Sequence, residues 1–231
     1  MADGQSQQCR KHLKVAERAT VRRVDPLRPS RLAIKEAVEV LDANGVVMYP
    51  TESSYALGAN ALNEAAVKKI FEAKGRPTNK PIPVIVSGLR MWKKYAYFNK
   101  SAEILVRRFM PGPLTLALRK KPAAPDVLTP IAVAARIPGN PVALALVREA
   151  KYPITSTSAN MSGRAPIYSP KGTPKALRMA IDLVLDAGTL RRRRPSTIVD
   201  FTKADRPIIT REGAIRASTV LKALAQGAGS K

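Results

Sequence analysis

Three cations fall within one short stretch, Lys74-Gly75-Arg76-Pro77 with Lys80 following. Val67, Ile70, Phe71 and Lys74 share one helix face, so a lysine replaces an apolar residue in the last turn of a core-facing stripe. Arginine grips phosphate through two parallel N–H donors and lysine acts as a point charge, which suits the cluster to a polyphosphate. A cation in a last helical turn also offsets the helix dipole. That second reading accounts for Lys74 and leaves Arg76 and Lys80 over.

Two hydroxyl-rich segments follow apolar runs. Tyr49-Pro50-Thr51-Glu52-Ser53-Ser54-Tyr55 leaves one short strand, and Thr155-Ser156-Thr157-Ser158-Ala159-Asn160-Met161-Ser162-Gly163 leaves another. Ligands of open α/β sheets bind beyond the carboxyl ends of strands, where such groups can hold a small polar substrate. Short side chains also leave backbone N–H groups free to face an anion. The alternative is ordinary turn chemistry, in which Ser, Thr and Asn satisfy loop backbone. Three weaker signals complete the set: Arg136 ending an apolar run before Pro138, Pro195-Ser196-Thr197-Ile198-Val199-Asp200, and Arg211-Glu212-Gly213-Ala214-Ile215. The stiff turn Pro111-Gly112-Pro113-Leu114-Thr115 reads as structural, because its prolines fix the backbone.

Composition removes several chemistries. Cys9 and His12 are the sole residues of their types, so an intrachain disulfide and a Cys/His zinc site are excluded. A Ser-His-Asp triad would have to recruit His12 from a polar N-terminal segment. Neither Gly-x-x-x-x-Gly-Lys-Ser/Thr nor Gly-x-Gly-x-x-Gly occurs, so any ATP site lies outside those two folds. No apolar run approaches a bilayer-spanning length, and Met1–Gln8 lacks a signal-peptide apolar region, so the expectation is a soluble, cytoplasmic protein without a membrane partner. The 231 residues carry 40 Lys and Arg against 17 Asp and Glu, a net charge of +23. Such a field attracts polyanions, including tRNA or double-stranded RNA, although it also serves solubility.

Alternating strands and helices must position these groups. Ser30 is placed as the N-cap of a helix that Asn44-Gly45 stops, and Val46–Tyr49 is a buried strand. Helices are expected over 63–74 with Asn63 as cap and Gly75 just past the end, then over 101–109, 140–150, 173–181 and from Ser218 to about Ala225. Strands are expected over 81–87, 114–118, 131–135, 154–157, 183–185, 197–199 and 208–210. The fold class is therefore α/β: one domain over 31–226, a twisted mixed sheet flanked by helices. Residues 1–30 read as a basic, flexible arm and 227–231 as a flexible tail.

Taken in order, the motifs resemble those of the YrdC family of threonylcarbamoyl-AMP synthases. They are Tyr-Pro-Thr-Glu-Ser-Ser-Tyr-Ala-Leu-Gly (49–58), Lys-Gly-Arg-Pro (74–77), Pro-Gly-Pro-Leu-Thr (111–115), Ser-Thr-Ser-Ala-Asn-Met-Ser-Gly (156–163), Pro-Ser-Thr-Ile-Val-Asp (195–200) and Arg-Glu-Gly-Ala-Ile (211–215). The resemblance implies a YrdC-like sheet with a basic concave face. It implies synthesis of threonylcarbamoyl-AMP from L-threonine, bicarbonate and ATP for tRNA modification, with other tRNA threonylcarbamoyl-transfer proteins as partners. It assigns Lys74, Arg76, Ser158 and Asn160 to catalysis and ATP, with Arg211 also on ATP. Thr51, Arg136, Thr157 and Ser196 go to L-threonine. Magnesium is implied only as carried with ATP, and the sequence assigns it no protein ligand. This sequence departs from the family pattern at Ala56, at Pro83 and in the run Arg191–Arg194.

Two other readings remain open. A non-catalytic module of the same fold would bind double-stranded or structured RNA, using the charge and the Arg191–Arg194 run. A carbamoyl-transfer domain of the hydrogenase-maturation type shares the fold, but the single cysteine and the length of this chain argue against it.

Overall fold

The computed structural model describes residues 19–128, 130–203 and 207–228. The strands in chain order are β1 (Thr20–Arg23), β2 (Val47–Pro50), β3 (Tyr55–Gly58), β4 (Val84–Ile85), β5 (Leu114–Arg119), β6 (Ala132–Arg136), β7 (Ile154–Thr155), β8 (Thr157–Ser158), β9 (Leu183–Asp186), β10 (Thr197–Asp200) and β11 (Ile208–Arg211). The helices are α1 (Arg31–Asp42), α2 (Glu64–Lys74), α3 (Leu89–Trp92), α4 (Lys100–Phe109), α5 (Pro141–Ala150), α6 (Lys175–Arg178) and α7 (Ala217–Ala228).

The class is the expected mixed α/β, but the strands form two sheets rather than one. Their orders are β1-β9-β2-β3-β8 and β11-β10-β5-β6-β4-β7, each mixing parallel and antiparallel pairs. The segment expected as one strand over 154–157 is what joins them. Ile154 and Thr155 pair with β4 of the second sheet, and Thr157 and Ser158 pair with β3 of the first. Ser156 is the crossing residue, so a hydroxyl run sits where two sheets meet.

Period-two alternation divides the first sheet between two cores. Val47, Tyr49, Leu183 and Leu185 face α1 and α5, while Met48, Tyr55, Leu57 and Val184 face the core that contains α2, α4 and the inner side of the second sheet. Helix boundaries follow local chemistry. Asn63 accepts from Ala66 N at 3.0 Å, and Gly75 closes α2 in the left-handed region at φ 55°. Asn140 caps α5 by accepting from Val142 N and Ala143 N. Ser30 stands at the N-cap of α1 as expected, but its side chain makes no capping hydrogen bond.

Several expectations are corrected. Thr20–Arg23 is not part of an arm, since it pairs in parallel with β9 in register with Leu183–Asp186; residues 1–18 lie outside the described residues. Pro81 and Pro83 lack ladder donors, so the strand over 81–87 shrinks to Val84–Ile85. The helix over 173–181 shrinks to the single turn of α6. Helix α7 begins at Ala217, one residue before the expected Ser218 cap, because Glu212 Oε2 accepts from Ala217 N at 2.9 Å. It runs to Ala228, into the expected tail.

Candidate anion-binding cleft

The second sheet has one apolar face and one face paved with small residues. Leu114, Leu116, Leu118, Val133, Ala135 and Val199 enter the core. Thr115, Ala117, Ala134, Ile198 and Asp200 point the other way and line a cleft of about 600 Å³. Alternation alone makes this division, and the short side chains of Thr115, Ala117 and Ala134 leave the floor open.

Arg136, at the end of β6, enters this cleft with a side chain only 11% exposed. Its Nη2 donates to Ser156 Oγ at 3.1 Å, Glu52 Oε2 lies 3.9 Å away, and Nε is buried without a partner. Glu52 is fixed by accepting from Gly139 N at 2.6 Å, which pins the 51–54 loop to the turn after β6. Thr51 closes that loop by donating from Oγ1 to Ser54 O at 2.7 Å.

The fifth and sixth sequence motifs interlock on another side of the cleft. Thr197 Oγ1 donates to Ile215 O at 2.5 Å and accepts from Gly213 N and Ile215 N, both at 3.0 Å. A Cβ on Gly213 would sit 2.1 Å from Pro195 O, so only glycine permits this approach. The interlock holds Arg211 against Ser196, with Nε donating to Ser196 O and Nη2 to Ser196 Oγ, both at 3.1 Å. Ser196 Oγ is shared with Thr115 Oγ1 at 2.8 Å. Burial first, and the positive charge of Arg136 second, bring the Arg211 pKa below its ordinary value. Burial does the same to Arg76, which ties its own loop by donating to Pro81 O at 2.9 Å and Lys80 O at 3.3 Å.

Of the nine expected site residues, Thr51, Arg76, Arg136, Thr157, Ser158, Ser196 and Arg211 line one cleft. Lys74 and Asn160 do not, which corrects the expectation that both face it. Lys74 is 2% exposed. Its ammonium donates to Ser158 O, to Asn160 O at 2.6 Å and to Asn160 Oδ1 at 3.2 Å. The core-facing stripe of α2 carries it beneath the 156–163 loop rather than beside a ligand. Burial, with the charge of Arg76 adding, brings its pKa down to about 8. Asn160 accepts from Ser158 Oγ at 2.5 Å and lines an adjoining hollow of about 350 Å³, which shares Pro166 and Tyr168 with the cleft.

Sequence reasoning missed several lining residues. Arg193 lines the cleft and Arg192 lies 5.1 Å over the Tyr168 ring in the hollow, so half of the arginine run belongs to the site. Among the described residues Asp200 is the one carboxylate in the cleft lining, and its Oδ1 accepts from Thr202 N at 2.7 Å. Thr115 lay in a motif read as structural. Alternation of Leu with Thr and Ala over 114–118 was the available signal for the floor.

Among the described residues the lining therefore sets four guanidiniums, of Arg76, Arg136, Arg193 and Arg211, against one carboxylate. No histidine or cysteine occurs in the described residues, so the arrangement suits binding and aligning anions more than proton abstraction. Such a site on two mixed sheets defines an α/β anion-binding protein. The comparisons make the class specific. A family model described as "Sua5_yciO_yrdC: Telomere recombination" matches residues 39–213, and the chain belongs to that family. It is 38% identical over 178 residues to a putative threonylcarbamoyl-AMP synthase of Methanocaldococcus jannaschii, covering 77% of this chain and 83% of that one. It is 36% identical over 196 residues to the threonylcarbamoyl-AMP synthase of Pyrococcus abyssi, covering 84% of this chain but 57% of that one. The crystal structure of P. abyssi Sua5 complexed with L-threonine superposes with a TM-score of 0.83 at 35% identity, over 89% of this chain and 61% of that one. The chain thus spans little more than half of the Pyrococcus relative.

Proposed function

We propose that this chain converts L-threonine, bicarbonate and ATP into threonylcarbamoyl-AMP and pyrophosphate, supplying threonylcarbamoyladenosine modification of tRNA. The observation that carries the reading is the receptive guanidinium of Arg136, set among hydroxyls in a cleft whose other cations suit phosphates. The names of the M. jannaschii and P. abyssi relatives support the same activity.

In this reading the threonine carboxylate meets Arg136, with Thr51, Thr157 and Ser196 supplying hydroxyls. The triphosphate lies towards Arg76, Ser158 and Arg211, with Arg193 beside them. The threonine amine adds to carbon dioxide from bicarbonate and loses a proton, giving a carbamate. A carbamate oxygen attacks the α-phosphorus, and the bond to pyrophosphate breaks. Such a displacement needs alignment and charge neutralisation more than a strong base. Lys74 acts from behind, by holding Ser158 and Asn160 in place and adding positive charge in a dry setting. No group of three or more His, Cys, Asp or Glu converges on a metal position among the described residues, so magnesium would be carried by the ATP phosphates. No described helix is long and apolar enough to cross a membrane, and a cytoplasmic setting is part of the proposal.

The test is pyrophosphate release by the purified chain with ATP, bicarbonate and magnesium, with and without L-threonine. Threonine-dependent release, with the product identified by mass, is expected. A folded sample that binds ATP and releases none would transfer the reading to the non-catalytic RNA-binding module.

A further inference from the structure

Residues 89–121 carry nine lysines or arginines and one acidic residue, Glu103. The structure gathers part of this stretch onto one surface. Tyr95–Phe98 runs beside the end of β5: Tyr97 N donates to Arg119 O at 2.9 Å, Lys121 N donates to Tyr95 O at 2.8 Å, and Ala96 bridges Lys120 in antiparallel fashion. Alternation buries Ala96 and leaves Tyr97 57% exposed. Lysines flank the rings. Lys121 Nζ lies 5.2 Å from the Tyr97 centroid and Lys93 Nζ lies 5.9 Å from that of Phe98.

Beside these rings is a groove of about 250 Å³ bounded by Tyr97, Phe98, Asn99, Arg119, Phe201 and Thr202. None of the six lines the anion-binding cleft, so the groove is a separate space. Leu118 and Phe201 form its apolar floor. Arg119 is exposed and has no ion-pair partner among the described residues. Buried apolar floor, an exposed aromatic face and unneutralised cations therefore occur together.

We propose that this groove binds single-stranded nucleic acid, with a base stacked on Tyr97 and backbone phosphates against Arg119 and Lys121. An acidic peptide would use the cations but has no use for the open ring face. A base presents a π-face of either strand composition and carries its own phosphate, which matches ring and cations at once. A duplex keeps its bases stacked on one another and could not occupy the ring. The assignment stands independently of the chemistry in the cleft.

The experiment is equilibrium binding of a fluorescent mixed-sequence single-stranded RNA to the full chain at several salt concentrations, with Tyr97→Ala, Tyr97→Phe and Arg119→Ala variants. Tyr97→Ala is expected to weaken binding roughly ten-fold, Tyr97→Phe to retain it, and Arg119→Ala to lower the slope of log affinity against log salt by about 0.7. Threonine-dependent pyrophosphate release should be unchanged in all three, so a failure here is separable from a failure of the proposed activity. Binding insensitive to removal of the Tyr97 ring would overturn the proposal. So would competition by polyglutamate as strong as that by an oligonucleotide of equal charge, because the surface would then be one for acidic polypeptides.

Discussion

Lys74 and Arg136 each end an apolar element and point inward, and the fold treats the two charges in opposite ways. The Lys74 ammonium has protein acceptors for all three of its hydrogens, on Ser158 and Asn160. Among the described residues Arg136, with five donors, makes one hydrogen bond to a neutral hydroxyl, stands 3.9 Å from a carboxylate oxygen, and leaves Nε buried and unmatched. An unmatched buried donor costs about 1–3 kcal/mol, so its persistence marks a place held ready for an incoming acceptor. One cation builds the site; the other, in the proposed reading, is the one that meets the substrate. The ionised groups alone do not reveal this. It follows from where their donors go.

The largest effect should come from the receptive side. Arg136→Ala is expected to lower kcat/KM for L-threonine by about 100- to 1,000-fold, in line with loss of a charge-assisted carboxylate contact, while thermal melting stays close to the parent. Arg136→Lys should restore little, since a point charge does not reproduce a planar fork. Steady-state pyrophosphate assays and circular-dichroism melts check both statements.

Next comes the organising side. Lys74→Met leaves the carbonyls of Ser158 and Asn160 without their donor, and should cost about 2–4 kcal/mol of stability together with activity. Chemical denaturation read beside kinetics separates the two cations: Lys74 moves both, Arg136 moves kinetics alone. Equal loss of stability in the two variants would erase the distinction.

The Lys74 pKa of about 8 adds a pH test. The folded value lies below the ordinary lysine value of 10.5, so from about pH 8 to about 10.5 the unfolded chain holds the proton that the folded chain has lost. This protonation contribution to stability therefore rises with pH across that window, and below it is a constant penalty relative to a lysine of ordinary pKa, separate from the hydrogen bonds that Lys74→Met would remove. Activity should run the other way. The cation that braces the Ser158–Asn160 loop disappears, so the profile should carry an alkaline limb near 8 that Lys74→Arg shifts out of range. A profile flat to pH 9.5 would place the active charge elsewhere.

Much of this comparison was legible in the sequence, and part of it was not. The 3.6-residue stripe ending in Lys74 and the Asn63 and Gly75 signals gave α2 its bounds, because those are local effects. The same stripe also implied that Lys74 points at the core, which is why the structure finds it beneath the loop and not in the cleft. Seven of nine expected residues converge because each lies at or beside the start or end of a strand or helix of one α/β scaffold. What stayed hidden depended on pairing at long range. The hydroxyls of 51–54 masked β3, since Tyr55–Gly58 earns its strand only by pairing with β2 and β8. Thr20–Arg23 is polar on most positions and becomes a strand only beside β9. The crossing at Ser156 could not be read from an unbroken run of small residues.

The smallest effect should come from the loose pair beside Arg136. Glu52→Gln keeps an acceptor for Gly139 N and removes the charge 3.9 Å from the guanidinium. The KM for L-threonine is expected to move by about three-fold or less, because a long ion pair contributes little. A loss as large as that of Arg136→Ala would mean that Glu52 itself touches the substrate.

The most direct test is calorimetric titration of the chain with L-threonine and with threoninol, which keeps the amine and hydroxyl and lacks the carboxylate. The account predicts saturable binding of L-threonine, at least about ten-fold weaker binding of threoninol, and a matching loss for L-threonine in Arg136→Ala. Equal binding of the two ligands, or unchanged L-threonine binding in Arg136→Ala, would contradict the claim that Arg136 is the cation held ready for the substrate.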